Sequence, residues 1–352
     1  MARRTSDGFA VPQEGRAFSF PRDHGSHPAF RVEWWYVTGH LFADDQRFGF
    51  QATFFRRGVE PGANDSGAAF GDAQIYLAHM SLLDAASGRF LFEERLNRDG
   101  WDASASSETL EVRNGNWSLT MSDPEREMMI VRGSVRGGAR FELELLPEKP
   151  RVIFGDGGVS RKGGDATAAS HYITFTRLAA SGTLRLDERE LAVRGRAWMD
   201  HEISSSQLSK EQVGWDWCSI QLDDGWDVMG YRMRREDGSA DPFSTVAWIS
   251  PQGEVTHVDA SRFRWEPIEH WTSPETRGRY PIRYRLVTDS PRDGAQVVLE
   301  VRSLAPNQEL TGGLGGIAYW EGACDVFDAK GNQIGRAYTE LTGYAGSLLG
   351  KF

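Results

Sequence analysis

Three ionisable residues, Asp200, His201 and Glu202, follow one another near the middle of the chain. Carboxyl and imidazole groups are common proton donors and acceptors in catalysis. Alternate residues of a β-strand share a face, so Asp200 and Glu202 lie on one face and His201 on the other. The three groups therefore do not converge from one regular strand. In aromatic surroundings, a buried carboxyl group has a raised pKa and can act as an acid.

Two further segments, Glu33–Tyr36 and Gly214–Trp217, combine aromatic residues with a carboxylate. At strand spacing, Trp34 and Tyr36 share a face, as do Trp215 and Trp217, which is typical of a mixed aromatic and polar pocket lining. We predict a catalytic set of Asp200, His201, Glu202, Tyr231 and His79. We predict a substrate-binding set of Glu33, Trp34, Tyr36, Trp215, Asp216, Trp217, Trp320 and Glu321.

His79 occupies the middle of QIYLAHMSLLD, an otherwise apolar strand. It is either a hydrogen-bonded core histidine or a polar group presented into a cavity, where burial would shift its pKa. A metal site from Asp200, His201 and His79 is conceivable, as is one from His24 and His27 beside Asp23. No HExxH or HxH spacing supports the first, and turns use Asp, His and Gly freely in the case of the second. The sequence therefore predicts no metal and no cofactor. It also lacks the GxSxG motif of a serine hydrolase.

These residues lie in a duplicated unit. The segment EWWYVTGHLFADDQRFGFQATFF aligns with GWDWCSIQLDDGWDVMGYRMRRE, matching Trp34 to Trp215, Leu41 to Leu222 and Gly49 to Gly230. The offset is constant at 181 residues (215 − 34). Self-similarity at a fixed offset indicates a repeated unit, and each copy has the aromatic strands and Asp-rich turn of a hairpin.

Composition favours an all-β protein with two domains. Short alternating runs and 39 glycines predict antiparallel sheet with many turns, and 352 residues exceed what one core usually supports. We predict two tandem lipocalin-like antiparallel β-barrels at 31–205 and 206–352, after an extended lead-in at 1–30. Only the residues after Glu202 and a C-terminal turn have helical character. A hydrogen-bonded plug where the barrels meet is the structural alternative for the Asp-His-Glu triplet.

Two glycine-rich stretches read as mobile loops. Residues 58–73 have loop composition, and the segment VIFGDGGVSRKGGDATAAS is interpreted as a flap over a pocket because it lacks a phosphate-loop pattern. The two cysteines, Cys218 and Cys324, are predicted to be buried thiols, with a disulfide between them as the alternative.

Charge and hydropathy limit the partners. The formal net charge is −10 and the arginines are scattered, so the sequence predicts no nucleic-acid binding. No apolar run approaches the ~18 residues of a membrane span. The oligomeric state is not determined by these features. The expected partner is a hydrophobic small molecule.

Five ordered motifs resemble one protein family over nearly the whole chain. They are PRDHGSHPAFRVEWWYVTGHL, WMDHE at Trp198–Glu202, GWDW at Gly214–Trp217, YWEGA at Tyr319–Ala323 and ELTGY at Glu340–Tyr344. Together they resemble the AttH-like proteins, which are also grouped with the carotenoid 1,2-hydratases. The resemblance implies two lipocalin-like domains and relatives that include hydratases and pericyclases acting on polyenes. It also implies a periplasmic or secreted protein, with a cytoplasmic one as the alternative because the start of this chain lacks the apolar core of a signal peptide.

One departure from the family bears on the reaction. The resemblance assigns carotenoid hydration to a His-x-Trp segment followed by Tyr-x-Asp, and the matching segments here are Trp215-x-Trp217 and Tyr231-x-Met233. Because Trp215 and Met233 replace the His and Asp, carotenoid hydratase activity itself is not expected.

Three functions from different classes remain. The first is an enzyme that acts on an apolar, unsaturated molecule by acid–base chemistry or by templated cyclisation. The second is a non-catalytic carrier of a lipid or other hydrophobic ligand. The third is a transport-accessory protein that uses its aromatic residues to bind a partner. Ionisable groups among tryptophan-rich strands favour the first.

Overall fold

A computed structural model describes residues 3–61, 74–100, 102–314 and 316–348. Most of the predicted 58–73 loop lies outside these residues. The described residues form 23 strands and two 3-10 turns, Arg22–His24 and Ala260–Arg262, with no α-helix among them. No helix in these ranges is long and apolar enough to cross a membrane.

The first thirteen strands belong to one antiparallel sheet. They are β1 (Val32–Ala43), β2 (Gln46–Gly58), β3 (Gln74–Asp84), β4 (Arg89–Arg98), β5 (Ala103–Ala105), β6 (Glu111–Asn114), β7 (Trp117–Asp123), β8 (Met128–Val135), β9 (Ala139–Pro147), β10 (Val152–Phe154), β11 (Ser160–Arg161), β12 (Ala169–Leu186) and β13 (Arg189–Ser206). Their order is β4-β3-β2-β1-β13-β12-β9-β8-β7-β6-β5, and β10 and β11 also pair with β12.

The remaining strands form a second antiparallel sheet of ten strands. They are β14 (Gln212–Leu222), β15 (Asp227–Arg235), β16 (Thr245–Ile249), β17 (Val255–Asp259), β18 (Phe263–Thr272), β19 (Arg279–Asp289), β20 (Gln296–Ser303), β21 (Glu309–Leu310), β22 (Tyr319–Phe327) and β23 (Gln333–Thr342). Their order is β17-β16-β15-β14-β23-β22-β20-β19-β18, with β21 paired to β22. The prediction of a tandem, all-β calycin-like fold is confirmed, with one nearly closed barrel and one half-barrel.

The duplication is visible in the strand order. In each sheet the first strand pairs with the second on one side and with the last on the other. Leu41 pairs with Phe48, whereas Leu222 bonds to Trp226, so the second hairpin is three residues shorter. The predicted offset of 181 therefore applies to the first strand only. In the second strand it falls to 178 (233 − 55), because Phe55 is opposite Trp34 and Met233 is opposite Trp215.

This shorter hairpin corrects one predicted match. Gly49 is opposite His40, but Gly230 is opposite Cys218, so the two glycines are not equivalent. With the offset of 178 (234 − 56), Arg56 is instead equivalent to Arg234. Each of these arginines contacts a buried carboxylate of the preceding strand.

Each sheet covers its own hydrophobic cluster. In the first, Trp35, Val37 and Leu41 of β1 pack with Phe48 and Phe50 of β2. In the second, Cys218, Ile220 and Leu222 of β14 pack with residues such as Trp248, Trp265 and Tyr284. We call the side of a sheet that faces its cluster the core side and the opposite side the outer side. Alternate residues of each strand therefore point to different sides.

The chain divides into two compact units. The first comprises Met1–Leu82, Leu91–Arg161 and Asp165–Gln207, and the second comprises Leu83–Phe90, Lys162–Gly164 and Leu208–Phe352. The predicted lead-in belongs to the first unit, where Phe30 packs on Ile173 and Ile203.

Two local expectations are wrong. The glycine-rich segment is not a free flap, because β10 and β11 within it are hydrogen-bonded to β12. The residues after Glu202 are not helical, because β13 continues to Ser206. In both cases pairing with a long neighbouring strand satisfies the backbone groups and overrides local composition.

Cys218 and Cys324 are buried free thiols, as predicted. They lie on β14 and β22, with β23 between them. Two strand spacings amount to about 9.6 Å, beyond the reach of a disulfide. Burial raises the pKa of the Cys218 thiol to about 12.

Candidate functional site

Five predicted site residues converge on the outer side of the first sheet. Asp200 and Glu202 lie there on β13, and their partners on β1 are Tyr36 and Trp34 respectively. His79 lies two strands further on, next to Phe55 of β2. The side chain of Asp200 is the centre of the polar contacts in this region.

Asp200 is a buried carboxyl group held by three donors. Tyr172 Oη donates to Oδ2 at 2.7 Å, while Thr174 Oγ1 and Trp198 Nε1 donate to Oδ1 at 2.8 and 2.7 Å. Burial raises the pKa of Asp200 to about 7, although these three hydrogen bonds oppose the shift. The negative charge of Glu202 adds to the increase. A carboxyl group whose pKa lies near neutrality is suited to general acid catalysis.

Aromatic rings lie beside the two carboxyl groups, on the neighbouring strands β1 and β2. Ser170 Oγ donates to Glu202 Oε2. The ring of Trp34 lies 6.4 Å from that of Phe55, which contacts His79 edge to face at 5.3 Å. Trp34 and Phe55 are partly exposed, whereas His79 is buried. The result is an aromatic strip beside the two carboxyl groups.

His79 is buried but is not a residue of the hydrophobic cluster. Its Nε2 lies 3.5 Å from Oε1 of Glu94. Burial lowers the pKa of His79 to about 3, so the imidazole is neutral at pH 7. His79 is therefore a buried, neutral imidazole on the outer side of β3.

Three residues of this site were missed by sequence reasoning. Ser170, Tyr172 and Thr174 alternate along β12 and all three contact Asp200 or Glu202. Hydroxyl groups at every second position of SHYITF were the available signal. The alternation alone does not identify the carboxylates, because it does not show which residues of β13 lie opposite these hydroxyl groups.

Glu33 and His201 lie on the core side, where they form a separate buried network. Glu33 Oε1 accepts from His27 Nδ1 at 2.8 Å and from His201 Nε2 at 2.9 Å. Its Oε2 accepts from Arg56 Nε at 3.0 Å, and also from Ser26 Oγ and the His27 backbone. Burial opposes ionisation of Glu33, but the charges of His27 and Arg56 hold its pKa well below the usual range.

His201 is held firmly within this network. Its ring stacks on Trp35 at 4.8 Å, and burial lowers its pKa to about 4 despite the hydrogen bond to Glu33. Because Nε2 faces Glu33, the neutral imidazole places its hydrogen there. Within the described chain, His201 Nδ1 has no hydrogen-bond partner.

The residue types His27, Glu33 and His201 could ligate a metal ion. Two His nitrogens and a carboxylate oxygen form a common zinc ligand set. Here, however, Glu33 already accepts five hydrogen bonds, one of them from the positive charge of Arg56. These contacts fit a hydrogen-bonded network better than a cation site.

Neither metal site considered from the sequence forms. His201 is on the opposite side of the sheet from Asp200 and His79, which separates that set. His24 and His27 also diverge, because His24 Nε2 contacts Glu127 while His27 contacts Asp23 and Glu33. Strand alternation in the first case and the short turn at 22–24 in the second direct the rings apart.

The second sheet distributes its predicted residues over both sides. Trp215, Trp217, Tyr231 and Glu321 are on the outer side, where Trp215 is opposite Met233 and Trp217 is opposite Tyr231. Lys162 Nζ lies 4.1 Å from the centroid of the Tyr231 ring. Trp217, Tyr231 and Glu321 are buried and Trp215 is half-buried, so these residues form a largely covered aromatic group within the second unit.

Asp216 and Trp320 are on the core side of the second sheet. Asp216 Oδ1 lies 3.0 Å from Arg234 Nε and accepts a hydrogen bond from Tyr344 Oη at 2.8 Å. The Trp320 Nε1 donates to the backbone oxygen of Pro306 at 2.8 Å. Both side chains are fully buried and have structural contacts. The candidate active site is therefore the group around Asp200 on the first sheet.

The fold and these motifs define a class and a family. Two antiparallel sheets that repeat one strand order define a tandem calycin-like protein. The AttH-like family matches residues 11–344, and the chain belongs to this family. None of the curated proteins matches the chain.

Three solved structures are similar over nearly the full length. A Nitrosomonas europaea chain assigned as an AttH protein is 31% identical, with a TM-score of 0.85, over 96% of this chain and 100% of that chain. Kievitone hydratase from Nectria haematococca is 12% identical, with a TM-score of 0.70, over 98% and 97%. CghA, crystallised with Sch210972, is 14% identical, with a TM-score of 0.56, over 97% and 98%. The last two similarities concern the fold alone.

Proposed function

We propose that this protein is an enzyme that acts on an apolar, unsaturated small molecule, with Asp200 as the proton donor. The observation that carries the proposal is the buried carboxyl group of Asp200, whose pKa is raised to about 7. An acid with a pKa near neutrality is suited to proton transfer. The neighbouring Trp34 and Phe55 supply an apolar wall for the substrate.

The proposed chemistry is addition of water to a carbon–carbon double bond. The O–H bond of Asp200 breaks, and its proton forms a C–H bond with one alkene carbon. Water then adds its oxygen to the cationic carbon and returns one proton to the carboxylate. The reaction needs no oxidant or reductant, and aromatic rings beside the site stabilise the cation. Loss of a proton from a neighbouring carbon would instead give an isomer.

One structurally similar protein supports this class of reaction, and a second supports binding of a small molecule. Kievitone hydratase has the same fold and a name that states a hydration. CghA also has the fold and was crystallised with a small molecule. Carotenoid hydration itself is not proposed, because Trp215 and Met233, which stand opposite each other, occupy the positions where the resemblance implies a His and an Asp.

A non-catalytic carrier is the second candidate. The observation that favours it is the aromatic outer side of the second sheet, where Trp217 and Tyr231 are paired without an adjacent His or Asp at Trp215 and Met233. Trp217 and Tyr231 are buried, and aromatic rings of this kind can contact an apolar molecule without proton transfer. The same experiment distinguishes the two functions.

The experiment combines ligand identification with isotope labelling. Native mass spectrometry and organic extraction of the purified protein identify any apolar molecule that copurifies. That extract, and a panel of polyenes, is then incubated with the protein in D₂O. The enzymatic function is supported if the wild type incorporates deuterium into carbon–hydrogen bonds of the product and Asp200→Asn does not.

The matched control is Glu144→Gln, which removes an exposed carboxylate on β9 of the same sheet. It is expected to retain the wild-type rate. Binding without deuterium incorporation in all three proteins supports the carrier instead. Equal incorporation by wild type and Asp200→Asn contradicts the role of Asp200.

A further inference from the structure

The second unit contains a cleft where three hairpin turns meet. These turns are residues 223–226, 290–295 and 328–332, at one end of the sheet. The cleft has a volume of about 620 Å³, within the range of small-molecule sites. We call it the second-unit cleft. Its floor and rim have different chemical character.

The floor of the second-unit cleft is apolar. Leu222, Trp248 and Leu299 line it and are also buried members of the second hydrophobic cluster. Val297 and Ile334, which are half-buried, complete the walls. A bound molecule would therefore place an apolar body here, where burial of its carbon atoms is favourable.

The rim of the second-unit cleft is acidic. Four aspartates line it against one arginine and one lysine, which leaves a formal charge of −2; they are Asp223, Asp224, Asp293, Asp328, Arg292 and Lys330. A concave surface with an excess of one sign attracts ligands of the opposite charge. The rim therefore favours a cation and disfavours a carboxylate or phosphate.

The side chain of Arg292 shows where such a cation is accommodated. Its Nη1 and Nη2 bond to the two carboxylate oxygens of Asp224 at 2.6 and 3.3 Å. Its Cζ lies 5.0 Å from the ring centroid of Trp226 and 5.5 Å from that of Trp248. A carboxylate beside two indole rings is a recognition set for an organic cation.

The chain itself holds a cation in this position, on a side chain that is 34% exposed. An exposed arginine can rotate into solvent at small cost. When it does, the Asp224 carboxylate and the two indole rings become available to another positive group. The apolar floor then receives the rest of that molecule.

We propose that the second-unit cleft binds an apolar molecule carrying one ammonium or guanidinium group, which displaces Arg292 from Asp224, Trp226 and Trp248. The site is independent of the acid–base proposal, because it involves no residue of that site and no proton transfer. Arg292 acts as an internal competitor for the ligand.

The experiment measures binding of octyltrimethylammonium to the full-length chain by isothermal titration calorimetry and tryptophan fluorescence. Octanoate and octanol are the matched anionic and neutral probes. Arg292→Ala is expected to bind the ammonium about tenfold more tightly than the wild type, because the competing cation is gone. Asp224→Asn is expected to weaken binding by a similar factor. Octanoate is not expected to bind.

The control variant is Arg262→Ala, which removes another exposed arginine of the second unit that pairs with Asp289. It should bind the ammonium probe as the wild type does. Circular dichroism of each variant checks the fold. The proposal is overturned if neither the wild type nor Arg292→Ala binds the probe. It is also overturned if octanoate or octanol binds equally well, or if Asp224→Asn has no effect.

Discussion

Asp200 and His201 are adjacent in the chain, point to opposite sides of β13, and have pKa values shifted in opposite directions by burial. The pKa of Asp200 is raised to about 7, and that of His201 is lowered to about 4. Burial disfavours the charged form of each group, so the same cause favours a protonated carboxyl and a neutral imidazole. The two residues therefore make opposite contributions to the pH dependence of stability.

Replacement of Asp200 by Asn should stabilise the first unit at high pH. The folded state of the wild type binds a proton at Asp200 that the unfolded state loses above pH 3.8, so its stability falls as pH rises towards 7. A shift of this size corresponds to about 4 kcal/mol at pH 8. The asparagine side chain cannot ionise, so the variant should match the wild type near pH 4 and exceed it at pH 8. Chemical denaturation across this pH range measures the difference, and Glu144→Gln should show none.

Replacement of Tyr172 by Phe should raise the pKa of Asp200 further. Tyr172 stabilises the carboxylate through the hydrogen bond to Oδ2, and its loss leaves two donors, both on Oδ1. The expected increase is about one pKa unit, the usual effect of a hydrogen bond to a charged group. Carboxyl ¹³C NMR titration reports this value without any substrate. Tyr284→Phe, in the second unit, is the control, and a lower pKa in Tyr172→Phe would contradict the assignment.

Replacement of His201 by Phe should alter acid stability more than turnover. The unfolded state gains a proton on His201 below pH 6.5, whereas the folded state gains it only near pH 4. Wild-type stability therefore falls by about 3 kcal/mol as pH decreases through this interval. The stability of His201→Phe should not decrease in this pH interval, although the variant loses the hydrogen bond to Glu33. Denaturation at pH 4 and 7 tests the slope; abolished turnover in a fully folded variant would restore His201 as a catalytic candidate.

Replacement of Glu33 by Gln should strongly destabilise the first unit. It leaves Arg56 buried beside an uncharged side chain, and loss of one partner from a buried ion pair costs about 3–5 kcal/mol. Glu33→Gln combined with Arg56→Met removes both charges and should recover part of this loss. A double-mutant cycle from denaturant unfolding measures the coupling. Additive effects of the two changes would show that the pair does not act as a unit.

The fold could be predicted because strand alternation and the internal repeat can both be recognised in the sequence itself. Strand alternation and turn residues indicate antiparallel sheet, and the repeated aromatic strand indicates duplication. Alternation also placed His201 opposite Asp200 and Glu202 correctly. The offset in the second strand could not be predicted, because it depends on the length of a hairpin whose register is fixed by pairing.

The contacts of the candidate site were less predictable. Tyr172 and Asp200 are 28 residues apart, and His201 and Glu33 are 168 apart. Such contacts depend on which strands are neighbours and in what register, and neither follows from local composition. The residue types and their alternation were therefore recognisable, but which face of β13 is the core side depends on its pairing with β1 and β12.

Strand β23 separates Cys218 on β14 from Cys324 on β22. Since the two thiols cannot join, no covalent cross-link between them contributes to stability. The native state then requires neither an oxidant to form nor protection from reductants to persist.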